Sequence, residues 1–255
     1  MILAMAQMRV IGGDLRSNLL RAASMTAEGA AGGADLIVFP EAMDAGWTHH
    51  SAPELAEPIP DGSTFEYLAD LAEDHAIHIC AGLTEKDGAH IYNSAVLIDR
   101  SGKLLLKHRK VNELDFAKKI YATGGGVQVR ATEFGKIGVM ICADAFVEGH
   151  TISRELGEKG ARLIVSPCAW AVPDDHDNDA SPYGQLWIDS YAPVAKEFGL
   201  WIAGVSNVGK IRSGDWAGHH CIGSSMLVGP GGGIVARARF GRDAQSLTLV
   251  EIPRH

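Results

Sequence analysis

The sequence predicts one α/β domain over residues 1–255, and three observations support that fold class. Helix-like and strand-like segments alternate along much of the chain, which is typical of sheets connected by helices. Short apolar runs such as Leu36-Ile-Val-Phe39 indicate strands that are covered on both faces. The 30 glycines lie mainly at turns between these segments, and no linker-like tract separates two halves.

The first part of the chain predicts three strands and two helices. Asp14 is a favourable helix N-cap and Gly32 with Gly33 is a stop signal, so these residues bound the first helix. Ser63-Thr-Phe-Glu66 has the capping-box pattern and opens the second helix. In chain order the expected segments are a strand at 2–10, a helix at 15–31, a strand at 35–39, a helix at 63–75 and a strand at 77–83.

Hairpins interrupt this alternation in the middle of the chain. Arg100-Ser-Gly102 and Phe134-Gly135 are turn sequences, each between two strand-like runs. Helices and strands then alternate again, and Gly229-Pro-Gly-Gly-Gly233 joins two late strands. The expected strands are 91–99, 103–107, 127–133, 136–142, 162–166, 200–205, 221–228, 234–238 and 247–252, with helices at 151–158 and 182–198.

The composition excludes several classes of protein. A formal net charge of −8 lacks the basic surplus that binding to phosphate backbones requires, so no nucleic-acid partner is expected. No apolar run approaches the roughly 20 residues that span a bilayer, and the N-terminus lacks the basic segment of a signal peptide. Four cysteines with no Cys-x-x-Cys pair indicate free thiols in a reducing, cytoplasmic compartment.

Three residues with useful chemistry follow predicted strands. Glu41 comes after the strand at 35–39, Lys110 follows the strand at 103–107, and Cys142 ends another strand. Reactive residues collect beyond the carboxyl ends of strands in sheets of this kind. Each residue also has a plainer interpretation: a carboxylate in a first helical turn, a solvated ammonium and a buried, inert thiol, respectively.

Together, Glu41, Lys110 and Cys142 are suited to hydrolysis. A thiol with a pKa of about 8.5 needs a base or a cationic neighbour before it becomes a strong nucleophile. A carboxylate in a closed pocket can take the thiol proton and pass it to a leaving amine. A lysine and the backbone N–H of Ala143 can stabilise an oxyanion. The spacing of the three residues leaves open whether they converge.

Six motifs in sequence order make the chain resemble the nitrilase superfamily of carbon–nitrogen hydrolases over nearly its whole length. The first three surround Glu41, Lys110 and Cys142, and the others follow later strands. The motifs are Phe39-Pro-Glu41-Ala-Met-Asp-Ala-Gly46-Trp47, Arg109-Lys110-Val-Asn-Glu-Leu114, Gly138-Val-Met-Ile-Cys142-Ala-Asp144, Pro167-Cys-Ala-Trp170, Ser206-Asn207-Val-Gly209, and Gly223-Ser224-Ser225 with Pro230-Gly231-Gly232.

The resemblance implies a four-layer αββα sandwich that forms a homodimer or a higher homo-oligomer and needs no metal or organic cofactor. It implies Glu41 as the general base, Lys110 as the lysine that stabilises the oxyanion, and Cys142 as the nucleophile. The expected reaction is hydrolysis of a small linear amide through a thioester. An N-carbamoyl-amine is the alternative substrate, followed by a nitrile and, last, by a non-catalytic binding role. Cys142-Ala-Asp144 resembles the amidase and carbamoylase branches more than the nitrile-cleaving branch.

Two segments depart from the family pattern. Many members carry a second, structural glutamate shortly after the lysine, where this chain has Lys118 or Lys119. Glu113 either replaces that glutamate or is a solvated loop carboxylate. The family's Arg-Ala-x-Glu-Asn segment is present only as Val194-Ala-Lys-Glu197-Phe, which bears on a local salt bridge.

The 11 histidines suggest other chemistries. The adjacent pairs His49-His50 and His219-His220 are expected to point to opposite faces of a strand, which disfavours a shared metal ion. No metal site is therefore predicted. A Cys–His arrangement of the papain type stays open on spacing alone.

Two further features have more than one interpretation. The acidic run Asp174-Asp-His-Asp-Asn-Asp179 is expected to be a solvated loop, with a charged rim over the pocket as the alternative. Tryptophans are core residues by default. Trp47 and Trp170 lie just beyond motif residues and are expected to line the acyl pocket.

Overall fold

The computed structural model describes residues 1–253, so the predicted domain ends two residues beyond the described part. In chain order the elements are β1 (Ile2–Gln7), α1 (Leu15–Ala31), β2 (Leu36–Val38), α2 (Ala52–Leu55), α3 (Ser63–Asp74), β3 (His78–Asp87), β4 (His90–Ile98), β5 (Leu104–Arg109), β6 (Val129–Thr132), β7 (Gly135–Val139), α4 (Thr151–Glu158), β8 (Leu163–Cys168), β9 (Ala171–Val172), α5 (Gln185–Phe198), β10 (Trp201–Ser206), β11 (Val208–Lys210), β12 (His220–Ile222), β13 (Met226–Val228), β14 (Ile234–Arg237) and β15 (Ser246–Glu251).

Two six-stranded mixed sheets form the centre of the molecule. The first sheet has the order β15-β1-β2-β3-β4-β5, and the second has the order β14-β13-β10-β8-β7-β6. A small three-stranded sheet, β11-β12-β9, lies beside them. In each large sheet a parallel centre is extended by antiparallel strands. Hairpins add β4, β5, β6 and β14, whereas β15 and β13 pair with strands distant in the chain. Within residues 1–253 no helix is both long enough and apolar enough to cross a membrane.

Side-chain alternation along the first sheet divides the core into layers. Leu3 and Met5 of β1 belong to the cluster between the sheets, whereas Ala4 and Ala6 belong to the cluster under α1 and α3. Helices α4 and α5 bury Leu156 and other apolar residues against the second sheet. The layers are therefore helices, sheet, sheet, helices, which confirms the predicted four-layer αββα sandwich.

Helix starts and stops were predicted with mixed success. Helix α1 has the expected bounds, and the Asp14 carboxylate accepts a hydrogen bond from the Ser17 N–H at 3.1 Å. The capping box at Ser63 was wrong, because α3 is capped from outside the helix. The Glu57 carboxylate accepts hydrogen bonds from the Thr64 N–H and the Ser63 hydroxyl, each at 2.7 Å. A carboxylate is favourable there, next to the positive end of the helix dipole.

Three other predictions differ from the structure. The strand expected at 221–228 is two strands, β12 and β13, which belong to different sheets. The break falls at Gly223 and Ser224, both of which have φ of +63°. The strand expected at 136–142 ends at Val139, so Cys142 does not lie in a strand. The short elements α2, β9 and β11 were not predicted, because segments of two to four residues carry too little periodic pattern.

Candidate active site

Glu41 lies just beyond β2, and only 1% of its surface is exposed. Its Oε1 atom accepts hydrogen bonds from Asn93 Nδ2 and Lys110 Nζ, both at 2.6 Å. Its Oε2 atom is buried and has no hydrogen-bond partner among the described residues. One oxygen of the carboxylate is thus held by a cation and an amide, and the other is available to a reacting group.

A glycine on the neighbouring strand allows this placement. A Cβ atom at Gly82 of β3 would lie 2.6 Å from both the Glu41 Cα and the Pro40 carbonyl oxygen. The turn also needs a positive φ of 43° at Ala42. The backbone around Glu41 therefore lies against β3 in a way that any larger residue at position 82 would prevent.

Lys110 follows β5 directly and is fully enclosed, with 1% of its side chain exposed. Its backbone N–H donates to the Asn93 carbonyl at 2.8 Å, which continues the β4–β5 ladder to the site. Its Nζ atom lies 2.6 Å from Glu41 Oε1 and 3.6 Å from Glu113 Oε2. Burial opposes the charge of the ammonium, but Glu41 and Glu113 outweigh burial, so the pKa of Lys110 is raised above its ordinary value.

The structure places Glu113 in the site rather than in solvent. Its side chain is fully buried and forms an ion pair with Lys110. Burial is the largest influence and raises the pKa of Glu113 to about 7, although Lys110 acts in the opposite direction. Lys118 and Lys119, which align near the family's second glutamate, form exposed ion pairs with Asp115 and Asp215.

Cys142 opens a short 3-10 turn, Cys142–Phe146, with a φ of 44°. Its backbone N–H donates to Ser166 Oγ at 3.1 Å, which fixes this strained residue against β8. Its side chain is mostly buried, with 9% exposed. Burial, a hydrogen bond to the Cys168 thiol and the Glu41 charge raise the pKa of the Cys142 thiol, while Lys110 lowers it. The resting thiol therefore needs a base.

Asp144 joins the lysine segment to the cysteine turn, and the sequence analysis did not assign it this position. One carboxylate oxygen accepts from the Ile141 N–H at 2.9 Å and lies 2.8 Å from His108 Nε2. The other accepts from the Val111 and Asn112 N–H groups at 3.0 and 2.8 Å. Burial disfavours the charged carboxylate, but these hydrogen bonds outweigh burial and the pKa of Asp144 is lowered.

The predicted pocket residues differ in what they contact. Trp47 is 7% exposed and its ring centre is 5.6 Å from Lys110 Nζ, so this residue adjoins the site. Trp170 is buried and stacks on Trp187 with ring centres 4.4 Å apart. Ala143 follows the nucleophile, and its carbonyl accepts from Asn112 Nδ2 at 2.6 Å.

The remaining candidates lie elsewhere. His49 and His50 are in a turn rather than a strand, so the expectation of opposite faces was wrong; their ring centres are 4.2 Å apart. Among residues 1–253, no three His, Cys, Asp or Glu side chains are grouped as metal ligands. The acidic run is largely exposed, and its first residue, Asp174, pairs with Arg242 at 2.7 Å. Glu197 forms an exposed ion pair with Arg154 at 2.5 Å.

The comparisons with known proteins agree with this geometry. A model of the carbon–nitrogen hydrolase family matches residues 2–255. A nitrilase of Pyrococcus abyssi is 32% identical over 226 residues, which cover 87% of this chain and 78% of that protein. An omega-amidase of Xenopus tropicalis is 28% identical over 237 residues, with the same two coverages of 87% and 78%.

Solved structures share the fold. An amidase from Nesterenkonia sp. superposes with a TM-score of 0.83 at 21% identity, over 99% of this chain and 90% of that chain. A nitrilase-superfamily protein from Saccharomyces cerevisiae superposes with a TM-score of 0.82 at 24% identity, over 98% of this chain and 89% of that chain. At these identities the likeness establishes the αββα architecture.

Proposed function

We propose that this chain, which belongs to the carbon–nitrogen hydrolase family, hydrolyses a small linear amide through a thioester on Cys142. The observation that carries the proposal is the enclosed contact of Lys110 Nζ with Glu41 Oε1 at 2.6 Å, close to the turn that bears the thiol. Desolvating an ion pair this deeply buried is costly. Because Glu41 Oε2 accepts no hydrogen bond from residues 1–253, this oxygen is suited to accepting a proton.

In the first half of the reaction, Glu41 takes the proton of the Cys142 thiol and the sulfur attacks the amide carbonyl carbon. The carbonyl oxygen becomes an oxyanion, which Lys110 Nζ and the Ala143 N–H stabilise. Protonated Glu41 then gives its proton to the amine nitrogen, the C–N bond breaks, and ammonia or an amine leaves. The acyl group stays on Cys142 as a thioester.

In the second half, Glu41 takes a proton from water and the resulting hydroxide attacks the thioester carbonyl. The same donors stabilise the second oxyanion, the C–S bond breaks, and the thiol regains its proton. Glu113 supports the process by keeping Lys110 charged, since its carboxylate is 3.6 Å from Nζ. The groups of the protein that act in these steps are three side chains and the backbone N–H of Ala143.

The proposal is tested by ammonia release from a panel of short linear amides, N-carbamoyl-amines and nitriles. Cys142→Ala should lower turnover by roughly 10⁴-fold or more, as expected for loss of a nucleophile. Cys80→Ala removes another buried thiol, in β3, and is the matched control that should keep turnover. Equal turnover by wild type and Cys142→Ala would contradict the mechanism.

The same panel decides the neighbouring hypotheses. Turnover confined to the carbamoyl compounds would replace the amide by the second candidate substrate. Inhibition by a chelator would contradict the cofactor-free scheme. A His49→Ala variant as inactive as Cys142→Ala would favour a Cys–His mechanism instead.

Compartment and assembly belong to the proposal as well. All four cysteines are free, which supports a reducing, cytoplasmic environment.

A homodimer is expected from the family resemblance, and the exposed apolar residues Ile234 and Val235 on edge strand β14 are consistent with a covered edge. Light scattering of the purified chain measures its mass in solution, and a monomer at micromolar concentration would contradict the dimer.

A further inference from the structure

We propose that Cys142 and Cys168 form a reversible disulfide when hydrogen peroxide enters the site, which makes this pair an oxidative modification site. The inference rests on the proposed role of Cys142 as the accessible nucleophile. It differs from that role in giving a function to Cys168, a fully buried thiol that the hydrolytic steps do not use.

The register of the second sheet brings the two cysteines to neighbouring positions. Strands β7 and β8 are parallel, with Val139 opposite Val165. The Met140 N–H donates to the Val165 carbonyl at 3.2 Å, and Ile141 is still extended, so the pairing continues beyond the end of β7. Cys142 opens the turn that follows Ile141, and Cys168 is the last residue of the neighbouring strand β8. The spacing of neighbouring strands, about 4.8 Å, lies within the usual range of Cα separations across a disulfide.

Side-chain contacts support the same placement. Ser166 Oγ accepts a hydrogen bond from the Cys142 N–H at 3.1 Å and lies 3.4 Å from Cys168 Sγ. One hydroxyl therefore touches both cysteines. The Cys168 thiol also raises the pKa of the Cys142 thiol, second only to burial, as expected for adjacent sulfur atoms. Cys168 Sγ otherwise contacts the Ser166 carbonyl at 3.1 Å and the Tyr191 hydroxyl at 3.7 Å.

The oxidation proceeds in two balanced steps. Glu41 takes the Cys142 proton, the thiolate attacks one peroxide oxygen, and the O–O bond breaks to give a Cys142 sulfenic acid and one water. The Cys168 sulfur then attacks the sulfenic sulfur, the S–O bond breaks, and a second water leaves with the Cys168 proton. One peroxide is reduced by two electrons and two thiols become one disulfide. An external dithiol reverses the change and restores the nucleophile.

The other two cysteines are internal controls because the fold places them elsewhere. Cys80 lies in β3 of the first sheet. Cys221 lies in β12, opposite Gly209 and Ala171 of the small sheet. Neither residue lies on β8 or on the turn that carries Cys142. A specific disulfide should therefore join the first pair and leave Cys80 and Cys221 as thiols.

Peptide mapping tests this directly, because trypsin places each cysteine in a different peptide. The four peptides are 22–86, 137–154, 163–196 and 213–237. The reduced enzyme is treated with equimolar hydrogen peroxide, blocked with an alkylating agent and digested without reductant. We expect a cross-linked pair of 137–154 with 163–196, alkylated Cys80 and Cys221, and loss of activity that dithiothreitol restores.

Cys168→Ser separates the disulfide from simple oxidation. Without the second thiol, Cys142 passes to sulfinic and sulfonic acids, so the fraction of its own starting activity that dithiothreitol recovers should fall several-fold below wild type. Cys221→Ser is the matched control and should recover like wild type. Failure to find the cross-link, or full recovery by Cys168→Ser, would overturn the inference. The cross-link is scored by mass, so this result is independent of whether the amide panel yields a substrate.

Discussion

Two buried glutamates form ion pairs with cations at the end of β5, and the two clusters differ in their hydrogen bonding. Glu41 contacts Lys110 at the inner face, towards the second sheet. Glu85 contacts Lys107 at 2.5 Å and Arg109 at 2.6 and 2.9 Å, on the opposite face. Both glutamates are 1% exposed. The difference between the two clusters lies in how many of their hydrogen-bonding positions are filled.

The Glu85 cluster is saturated. Both of its carboxylate oxygens accept hydrogen bonds, including one from the Ser94 hydroxyl at 2.5 Å. Burial opposes the charge, but Arg109, Lys107 and Ser94 outweigh it and lower the pKa of Glu85. In the Glu41 cluster, no group within residues 1–253 forms a hydrogen bond with Oε2. A buried carboxylate whose oxygens all accept hydrogen bonds stabilises the fold. One with an unpaired buried oxygen destabilises it, and that oxygen can accept a proton from a reacting group.

Strand alternation produces both clusters from adjacent residues. Ser94 and Arg109 are paired across β4 and β5, and they point to the outer face with Glu85. The preceding residue on β4, Asn93, and the following residue after β5, Lys110, point to the inner face with Glu41. Successive side chains on a strand alternate in direction, so one pair of strands supplies partners both to the saturated Glu85 cluster and to the Glu41 ion pair that we propose is reactive.

Paired substitutions give the largest test of this comparison. Glu41→Gln should lower kcat by roughly 10²–10⁴-fold, because it removes the general base, and leave the protein folded. Glu85→Gln should leave kcat of the folded fraction within a few-fold and lower the free energy of unfolding by roughly 1–3 kcal/mol, because Lys107 and Arg109 lose a charged acceptor while Asp87 still pairs with Arg109. Steady-state kinetics and urea denaturation measure both quantities. Equal kinetic effects of the two substitutions would remove the distinction between the clusters.

Asp144 should show the next largest effect, because it holds the cysteine turn against the lysine segment. Asparagine keeps one acceptor oxygen, so Asp144→Asn leaves at least one of the bound N–H groups facing an amide NH₂. A small shift of Cys142 relative to Lys110 should lower kcat by about 10²-fold, with a smaller change in KM. The rate of Cys142 alkylation should change in parallel.

A surface carboxylate controls for the loss of charge. Asp115 pairs with Lys118 and its side chain is 99% exposed. Asp115→Asn should therefore change neither kcat nor the alkylation rate. An Asp144→Asn enzyme that loses stability but keeps its kcat and alkylation rate would show that Asp144 serves the fold alone.

Glu113 extends the comparison to pH. Its pKa is raised to about 7 in the folded chain by burial, so the folded state binds more protons than the unfolded state between about pH 4.5 and 7. The free energy of unfolding should therefore fall with rising pH in this window, by up to about 3 kcal/mol from this one group. Glu113→Gln removes that dependence. Urea denaturation at pH 5 and 7.5 should show that the free energy of unfolding of Glu113→Gln increases relative to that of wild type as the pH rises. A difference between the two proteins that is the same at both pH values would contradict the raised pKa of Glu113.

The aromatic partners of the two cations should give the smallest effects. Lys110 Nζ lies 5.6 Å from the Trp47 ring centre, and the Arg109 guanidinium lies 3.9 Å from that of Tyr92. Trp47→Phe should lower kcat/KM by less than about 10-fold, in line with a weakened cation–π contact. Tyr92→Leu should cost about 0.5–1 kcal/mol of stability with kcat unchanged. A larger kinetic effect at Tyr92 than at Trp47 would contradict the division between faces.

Much of the fold could be predicted because its main elements carry strong local patterns. Helices α1 and α4 have the predicted bounds, and in α1 these follow from clear end signals at Asp14 and Gly32. The α3 cap could not be predicted, because Glu57 reaches it from outside the helix. The single strand expected at 221–228 includes Gly223 and Ser224, where the structure has a break. The apolar pattern of a sequence does not show that the chain passes from one sheet to another.

The sequence by itself determined the fold class and the order of the motifs, and it was enough to propose Glu41, Lys110 and Cys142 as the catalytic residues. Those depend on residue type and local spacing, which a single chain displays directly. Only the tertiary structure decided that Glu113 is buried against Lys110, that Asp144 joins the lysine segment to the cysteine turn, and that one hydroxyl, of Ser166, contacts both Cys142 and Cys168. Each of these contacts brings together segments that are distant in the chain, through strand register and the packing of two sheets. Local sequence patterns do not show which distant segments will be in contact.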